Sequence, residues 1–289
     1  MLDTKKNARQ FISIVNPIKV IFIKYEFWFN YMAELNEKNI PFYSVSSIFR
    51  KEQYFFKYDW FAKQLDNVSH FFVQDQNSKQ LLKNIGFSNC TVVGDTRFDS
   101  VITNTQNTIN IPLIEQFSEN KTTIICGSTW PKDEALLAKY IKKNPHYNYI
   151  IAPHEIHHVS ALKNQTNALL FSKANNTNIR NSNVLIIDSI GTLSNIYQYG
   201  KLAYIGGGFG VGIHNILEAV AFGLPVVFGP NYQKFNEATE LINKKGALSI
   251  SNYTELTSAI NLYSNFDKSI GINYIQKNSG ATNIILDQL

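Results

Sequence analysis

From residue 19 to residue 244 the chain swings between short runs of β-branched and aromatic residues and longer runs with helical spacing. A strand that feeds a helix and then another strand closes into a parallel pair with the helix on one face. Repetition of that unit specifies an α/β protein whose parallel sheet is flanked by helices. The first part predicts strands at residues 19–23, 42–46, 71–74 and 91–93, with helices at 27–38, 57–65 and 78–84. Residues 102–119 break the rhythm with Asn104, Asn107, Asn110 and Pro112, the composition of a linker. The alternation then restarts, with strands at 123–126, 149–152, 168–171, 184–187, 202–205 and 226–228 and helices at 133–142, 192–199, 215–222 and 235–244. Asn- and Thr-rich residues 173–183 read as an exposed loop. Two domains follow, residues 1–105 and residues 106–289, and only the second has enough strands for a complete Rossmann-like sheet.

Composition narrows the class of function. A net charge of +5, from 27 basic and 22 acidic residues, is too mild for a nucleic-acid footprint, so no nucleic acid is expected as partner. Cys90 and Cys126 are the only cysteines, too few for a disulfide scaffold or a thiolate metal site. No window holds the roughly 18 apolar residues of a membrane span, and the start lacks the apolar core of a signal peptide. A soluble cytosolic protein is expected, with attachment to a membrane surface left open.

Four segments carry chemistry, each where a predicted strand ends and a turn or helix begins. In Tyr204-Ile-Gly-Gly-Gly-Phe-Gly-Val-Gly-Ile-His-Asn-Ile-Leu-Glu218 a strand runs into five glycines and then a helix. Glycines let backbone N–H groups approach a ligand, and a helix N-terminus favours an anion. They also serve a plain flexible turn. Asn215 and Glu218, three apart, share a face of the first helical turn, where they could hold vicinal hydroxyls of a sugar or ribose. Cys126-Gly-Ser-Thr-Trp-Pro-Lys-Asp-Glu134 repeats the strand-to-helix turn and adds two hydroxyls, which fit either an anion site or N-caps. Ile151-Ala-Pro-His-Glu-Ile-His-His158 has three histidines, but the Pro153 loop breaks the His154/His158 spacing and no separate ligand cluster supports a metal, so none is expected. Asp188-Ser-Ile-Gly-Thr-Leu193 is the fourth. Ligands of open α/β sheets bind at the carboxyl edge of the strands, so the four together point to a nucleotide or nucleotide-sugar site. In the first part, Lys24 and Glu26 of Ile23-Lys-Tyr-Glu-Phe-Trp-Phe-Asn30 stand at a strand end. There Glu26 can accept a proton or orient a hydroxyl, or form a simple surface pair with Lys24.

Taken in order, these segments resemble the 3-deoxy-D-manno-octulosonic acid (Kdo) transferases, glycosyltransferases of the GT-B fold. Lys24-Tyr-Glu-Phe-Trp-Phe-Asn30 resembles the family's Glu-x-Trp-Pro-Asn, with Phe29 in place of proline. Gly94-Asp-Thr-Arg-Phe-Asp99 resembles Gly-Asn-x-Lys-Phe-Asp. Gly127-Ser-Thr-Trp-Pro-Lys-Asp-Glu134 resembles Ser-Thr-x-x-x-Glu-Glu, and Asp188-Ser-Ile-Gly-Thr-Leu193 resembles Asp-Thr-x-Gly-Glu-Leu. The Gly-rich segment with His214-Asn-Ile-Leu-Glu218, Gly229-Pro230 and Phe235 is similar to the family's Gly-Gly-His-Asn-x-x-Glu…Gly-Pro…Asn-Phe. The resemblance implies two Rossmann-like domains facing a cleft. It implies inverting transfer of Kdo from CMP-Kdo to a lipid A precursor, lipid IVA, in lipopolysaccharide core biosynthesis. It implies no cofactor and a peripheral location on the cytoplasmic side of the inner membrane. The aromatic, basic stretch 42–61, with Arg50, Lys51 and Lys57, suits such a surface, although its rings also suit a core. By resemblance Ser128, Thr129, Pro153, His154, Ile190, Gly191, Gly207, Gly208, His214, Asn215 and Glu218 line the donor site, and Glu26 positions donor or acceptor from the other domain.

Two departures stand out. Pro153-His154-Glu155 replaces the family's Pro-Arg-His, so the arginine near the donor phosphate is absent. The family's N-terminal segment, with its Ser-x-Gly-Glu motif and general-base glutamate, has no counterpart here. The resemblance therefore implies an incomplete first domain and slow transfer by these 289 residues alone. Another GT-B nucleotide-sugar enzyme, such as an epimerase, and a catalytically dead nucleotide-binding fragment are the alternatives.

Overall fold

The computed structural model describes residues 2–289, the side chain of His158 apart. The chain forms two compact units, Met1–Asp99 with Asn278–Leu289, and Ser100–Lys277. The first holds a parallel sheet of β1 (Val20–Ile23), β2 (Phe42–Ser47), β3 (Val68–Val73) and β4 (Cys90–Val92), paired in that order. Leu35, Phe42, Phe49, Leu65 and Phe71 are buried in its core. Strands added in one direction make half of a doubly wound sheet, with β1 as an edge. The alternation along β1 shows it: Val20 and Phe22 pack on the core, while Ile21 and Ile23 are 44% and 57% exposed.

Several elements differ from the sequence reading for local reasons. A helix over Lys5–Val15, unassigned from sequence, starts at an N-cap where the Thr4 side chain accepts from the Asn7 N–H, and it buries Ala8 and Ile12 four apart. The expected linker is largely helical, with helices at Arg97–Gln106 and Pro112–Ser118. Pro112 occupies the first helical turn, where its missing N–H costs nothing, and Ile114 and Phe117 are buried three apart. The helix expected at 57–65 breaks into Asp59–Ala62 between two 3₁₀ turns. The aromatic stretch also divides. Phe42 and Phe49 are buried and Phe55 and Phe56 pack on them, whereas Tyr54, Tyr58 and Trp60 are more than half exposed. Residues 278–289, which the sequence reading left in the second domain, belong to the first unit. Helix Ala281–Leu286 packs Ala281 and Ile285 against Val45, Phe72 and Val93, and its Thr282 N–H donates to the Asp99 carboxylate at 2.8 Å.

The second unit carries seven strands: β5 (Thr123–Thr129), β6 (Asn148–Pro153), β7 (Leu169–Leu170), β8 (Val184–Ile186), β9 (Leu202–Ile205), β10 (Val226–Phe228) and β11 (Ala247–Ser249). Their order is β11-β10-β9-β5-β6-β8-β7, and every pairing is parallel. The central strands are buried on both faces, which is why they read as continuous apolar runs. The chain enters at β5 and winds outward through β6, then returns to the other side of β5 with β9. The strand order reverses between β5 and β9, and the crevice beyond their carboxyl ends is where such sheets bind ligands.

Candidate functional site

The end of β5 meets the loop after β9 at van der Waals limits. A Cβ on Gly206 would sit 2.2 Å from the Ser128 carbonyl oxygen, and one on Gly208 would lie 2.6 Å from the Gly229 nitrogen. Only glycine lets these backbones approach so closely. Gly207, at φ +92°, makes the turn, and its N–H donates to the Asp133 carboxylate at 2.9 Å. Asp133 is 0% exposed and also accepts from the Trp130 N–H at 2.9 Å and the Tyr204 hydroxyl at 2.7 Å. One carboxylate thus ties the start of helix Pro131–Lys143 to the Gly-rich loop.

This corrects part of the site expected from sequence. Gly207 and Gly208 are buried and shape the loop; the Gly207 N–H is committed to Asp133, although Gly207 also lines the second cavity described below. Thr129 is buried too, its hydroxyl donating to Glu134 at 3.0 Å. Ser128 differs: it holds a left-handed φ of +52°, a strained conformation for a residue with a Cβ, and it lines an open cavity.

That cavity, of about 370 Å³, gathers Ser128, Pro153, His154, Ile190 and Gly191 from the ends of β5, β6 and β8. Five residues named from three separate segments therefore share one space. Ile190 is almost fully exposed, and Gly191 turns at φ +90°. Beside them His214 is half-buried. Burial, then the imidazole of His154, lowers its proton affinity below the ordinary histidine value, against an opposing pull from Asp133. A second, mostly apolar cavity of about 320 Å³ lies between Trp130, Lys132 and Asp133 on one side and Phe209, Gly210 and Val211 on the other.

Asn215 and Glu218 do meet, though not as two positions of one helix. The helix is shorter than expected, Leu217–Ala221, and Asn215 precedes it. The Asn215 side chain caps it by accepting from the Leu217 N–H at 3.2 Å, and its amide donates to Glu218 at 3.1 Å. Burial raises the Glu218 pKa, and the Asn215 amide partly offsets the rise. The fully buried Tyr197 fills the space over Gly127 and faces Glu218. Asp133, Trp130 and Tyr197 were not named as site residues from sequence. The sequence signal for Asp133 is a carboxylate at the third position of helix Pro131–Lys143.

In the first unit Glu26 is exposed on the turn after β1 and accepts from the Trp28 indole N–H. Lys24, at φ +59°, does not pair with Glu26 in the way a surface pair would. It reaches Asp95 at 3.6 Å, and Asp95 also binds Arg97 at 2.8 Å. Among the described residues no group of His, Cys, Asp or Glu could hold a metal ion, and the pairing of His154 with His158 lies outside the described residues. No described helix is long and apolar enough to cross a membrane.

Residues 1–100 match the sequence profile of the 3-deoxy-D-manno-octulosonic-acid transferases (kdotransferases). A 3-deoxy-D-manno-octulosonic acid transferase of Rickettsia bellii is 27% identical over 76% of this chain and 54% of its own length. That of Aquifex aeolicus is 24% identical over 90% of this chain and 69% of its own. Over most of its length the chain is thus similar to Kdo transferases. A bifunctional glycosyltransferase/methyltransferase of Fusobacterium nucleatum is also similar, 24% identical over 91% of this chain and 43% of its own length. The chain thus spans about half the length of the curated relatives it matches. Among solved structures, UDP-GlcNAc 2-epimerase from Neisseria meningitidis bound to UDP-GlcNAc shares 16% identity at a TM-score of 0.61, covering 98% of this chain and 78% of that one. At that identity the likeness is one of fold: the chain has Rossmann-like α/β units with parallel sheets, consistent with a GT-B fold.

Proposed function

We propose that the second unit binds CMP-Kdo and that the protein transfers Kdo from it to a lipid A precursor, lipid IVA, with inversion at the anomeric carbon. The convergence of Ser128, Pro153, His154, Ile190 and Gly191 on one cavity beside the β5/β9 crevice carries this reading. In the reaction the acceptor hydroxyl oxygen attacks the anomeric carbon, the bond from that carbon to the CMP phosphate oxygen breaks, and the hydroxyl proton passes to a base. Ser128 and His214 are assigned to the leaving phosphate, Asn215 and Glu218 to hydroxyls of the donor. Stabilising the charge that grows on the leaving group is the larger part of such catalysis. Glu26, held by Trp28, is assigned the orienting of donor or acceptor. A lipid acceptor calls for a peripheral protein at the cytoplasmic face of the inner membrane. The exposed Tyr54, Tyr58 and Trp60, with Arg50, Lys51 and Lys57 exposed in the same stretch, support that placement, since aromatic and cationic side chains anchor proteins to anionic headgroups.

Glu218→Ala tests the assignment. Loss of a bond to a donor hydroxyl should weaken CMP-Kdo binding by about 1–3 kcal/mol in calorimetry; unchanged affinity for both CMP and intact CMP-Kdo would defeat it. The pH dependence has a defined sign. Because the folded-state pKa of Glu218 lies above its unfolded value, the folded state takes up this proton first, and stability rises as pH falls from above the folded value toward 4.5. Glu218→Gln should flatten that rise in denaturant titrations.

A further inference from the structure

Three aromatic rings meet where β5, β6 and β9 end. Trp130 follows β5, His154 follows β6 and His214 lies in the loop after β9. The Trp130 indole stacks on His154, with centroids 4.6 Å apart and planes 21° from parallel. It also lies nearly parallel to His214, at 6.3 Å and 11°, and the two imidazoles are 4.4 Å apart. Main-chain bonds fix both histidines: His154 N–H donates to the Thr129 carbonyl at 2.9 Å, and His214 N–H to the Gly206 carbonyl at 3.1 Å.

The decisive contact is the Trp130 Nε1–H, which donates to His214 Nε2 at 2.9 Å. An indole nitrogen only donates, so Nε2 of neutral His214 carries the lone pair and the ring proton sits on Nδ1. Free histidine prefers the opposite tautomer. Among the described residues none accepts a hydrogen bond from Nδ1.

We propose that Trp130 is a positioning residue for the phosphate of the bound nucleotide sugar: its N–H locks His214 with Nδ1–H free to donate to the anion, and its face carries His154 alongside. The inference rests on the nucleotide-sugar reading above and adds Trp130 and a defined tautomer to it. The electrostatics agree. Burial, and the second imidazole 4.4 Å away, both disfavour a charge on His214, which therefore acts as a neutral donor. Asp133, the carboxylate that acts on His214, is engaged in three hydrogen bonds of its own.

Long-range ¹H–¹⁵N correlation of the ¹⁵N-labelled protein at pH 7.5 reads the tautomer directly, with His214 assigned by its loss in His214→Gln. Wild type should show Nδ1 protonated and Nε2 bare. Trp130→Phe, which keeps a stacking ring but removes the donor, should move His214 toward the Nε2–H form. The ligand probe is cytidine 5′-(methyl phosphate), a diester whose single charge does not titrate near neutrality. It should shift the His214 ring signals, and Trp130→Phe should bind it about ten-fold more weakly at an unchanged melting temperature. Nε2–H in the wild type would overturn the proposal whatever the variant does. So would a diester that shifts other resonances but leaves the His214 ring unmoved. A diester that shifts no resonance at all would instead overturn the nucleotide-site reading, and this inference with it.

Discussion

Asp133→Ala should cost the second unit about 3–5 kcal/mol, the loss typical when one partner of a buried charged network is removed. The carboxylate has no contact with solvent and accepts three hydrogen bonds, from the Trp130 and Gly207 N–H groups and the Tyr204 hydroxyl. Truncation strands three donors, two of them in the buried interior, where each unsatisfied group costs about 1–3 kcal/mol, some of it recovered by relaxation or an entering water. The damage should extend beyond stability, because Gly207 turns the loop that carries His214 and Asn215. Urea denaturation should show a lower midpoint at similar slope, and donor binding should fall even where the variant remains folded. Asp133→Asn keeps the shape and part of the accepting capacity, so its loss should be smaller. A midpoint for Asp133→Ala within about 0.5 kcal/mol of wild type, the range of ordinary surface substitutions, would show that the network does not hold the loop.

Asp133 also marks the limit of what the sequence makes legible. The strands of the second unit are visible because each is a short run buried on both faces, bounded by turn residues. The carboxyl-edge cavity is visible because parallel topology sends every strand end to the same side. The side chains that occupy those ends are another matter. Gly207 and Thr129 sit in segments that suit a ligand and suit a tight turn equally well. Only the close approach of Gly206 to Ser128, a contact across some eighty positions, decides for the turn. Trp130 carries no local signal, because its partner, His214, is 84 positions away. Helices at Lys5–Val15 and Pro112–Ser118 are hidden in the sequence for a different reason. Each has only two buried positions, so its apolar stripe is too thin to stand out from polar surroundings, although a Thr cap and a Pro at the first turn announced them.

Glu26→Gln should lower Kdo transfer about 10²-fold, the lower end of what positioned proton-transfer groups contribute, while leaving the melting temperature in place. The two halves of that expectation have separate physical grounds. Glu26 is exposed, so it contributes little to the core, and its partner, the Trp28 indole, can donate equally well to the amide oxygen of glutamine. What the variant loses is the charge that orients or accepts a proton. The ratio of variant to parent rate, measured in the same preparation with radiolabelled CMP-Kdo, is the informative quantity. A large fall in melting temperature with an unchanged rate per folded molecule would make Glu26 a structural residue of the β1 turn.

Which nucleotide sugar the second unit holds decides what the protein does. Calorimetric titration of the 289-residue protein with CMP-Kdo, CMP and UDP-GlcNAc separates the possibilities without requiring turnover. The arrangement of Ser128, His154, His214, Asn215 and Glu218 predicts saturable binding of CMP-Kdo and weaker binding of CMP, with UDP-GlcNAc far weaker than either. Preference for UDP-GlcNAc, or no binding of CMP-Kdo by the folded protein, would contradict it.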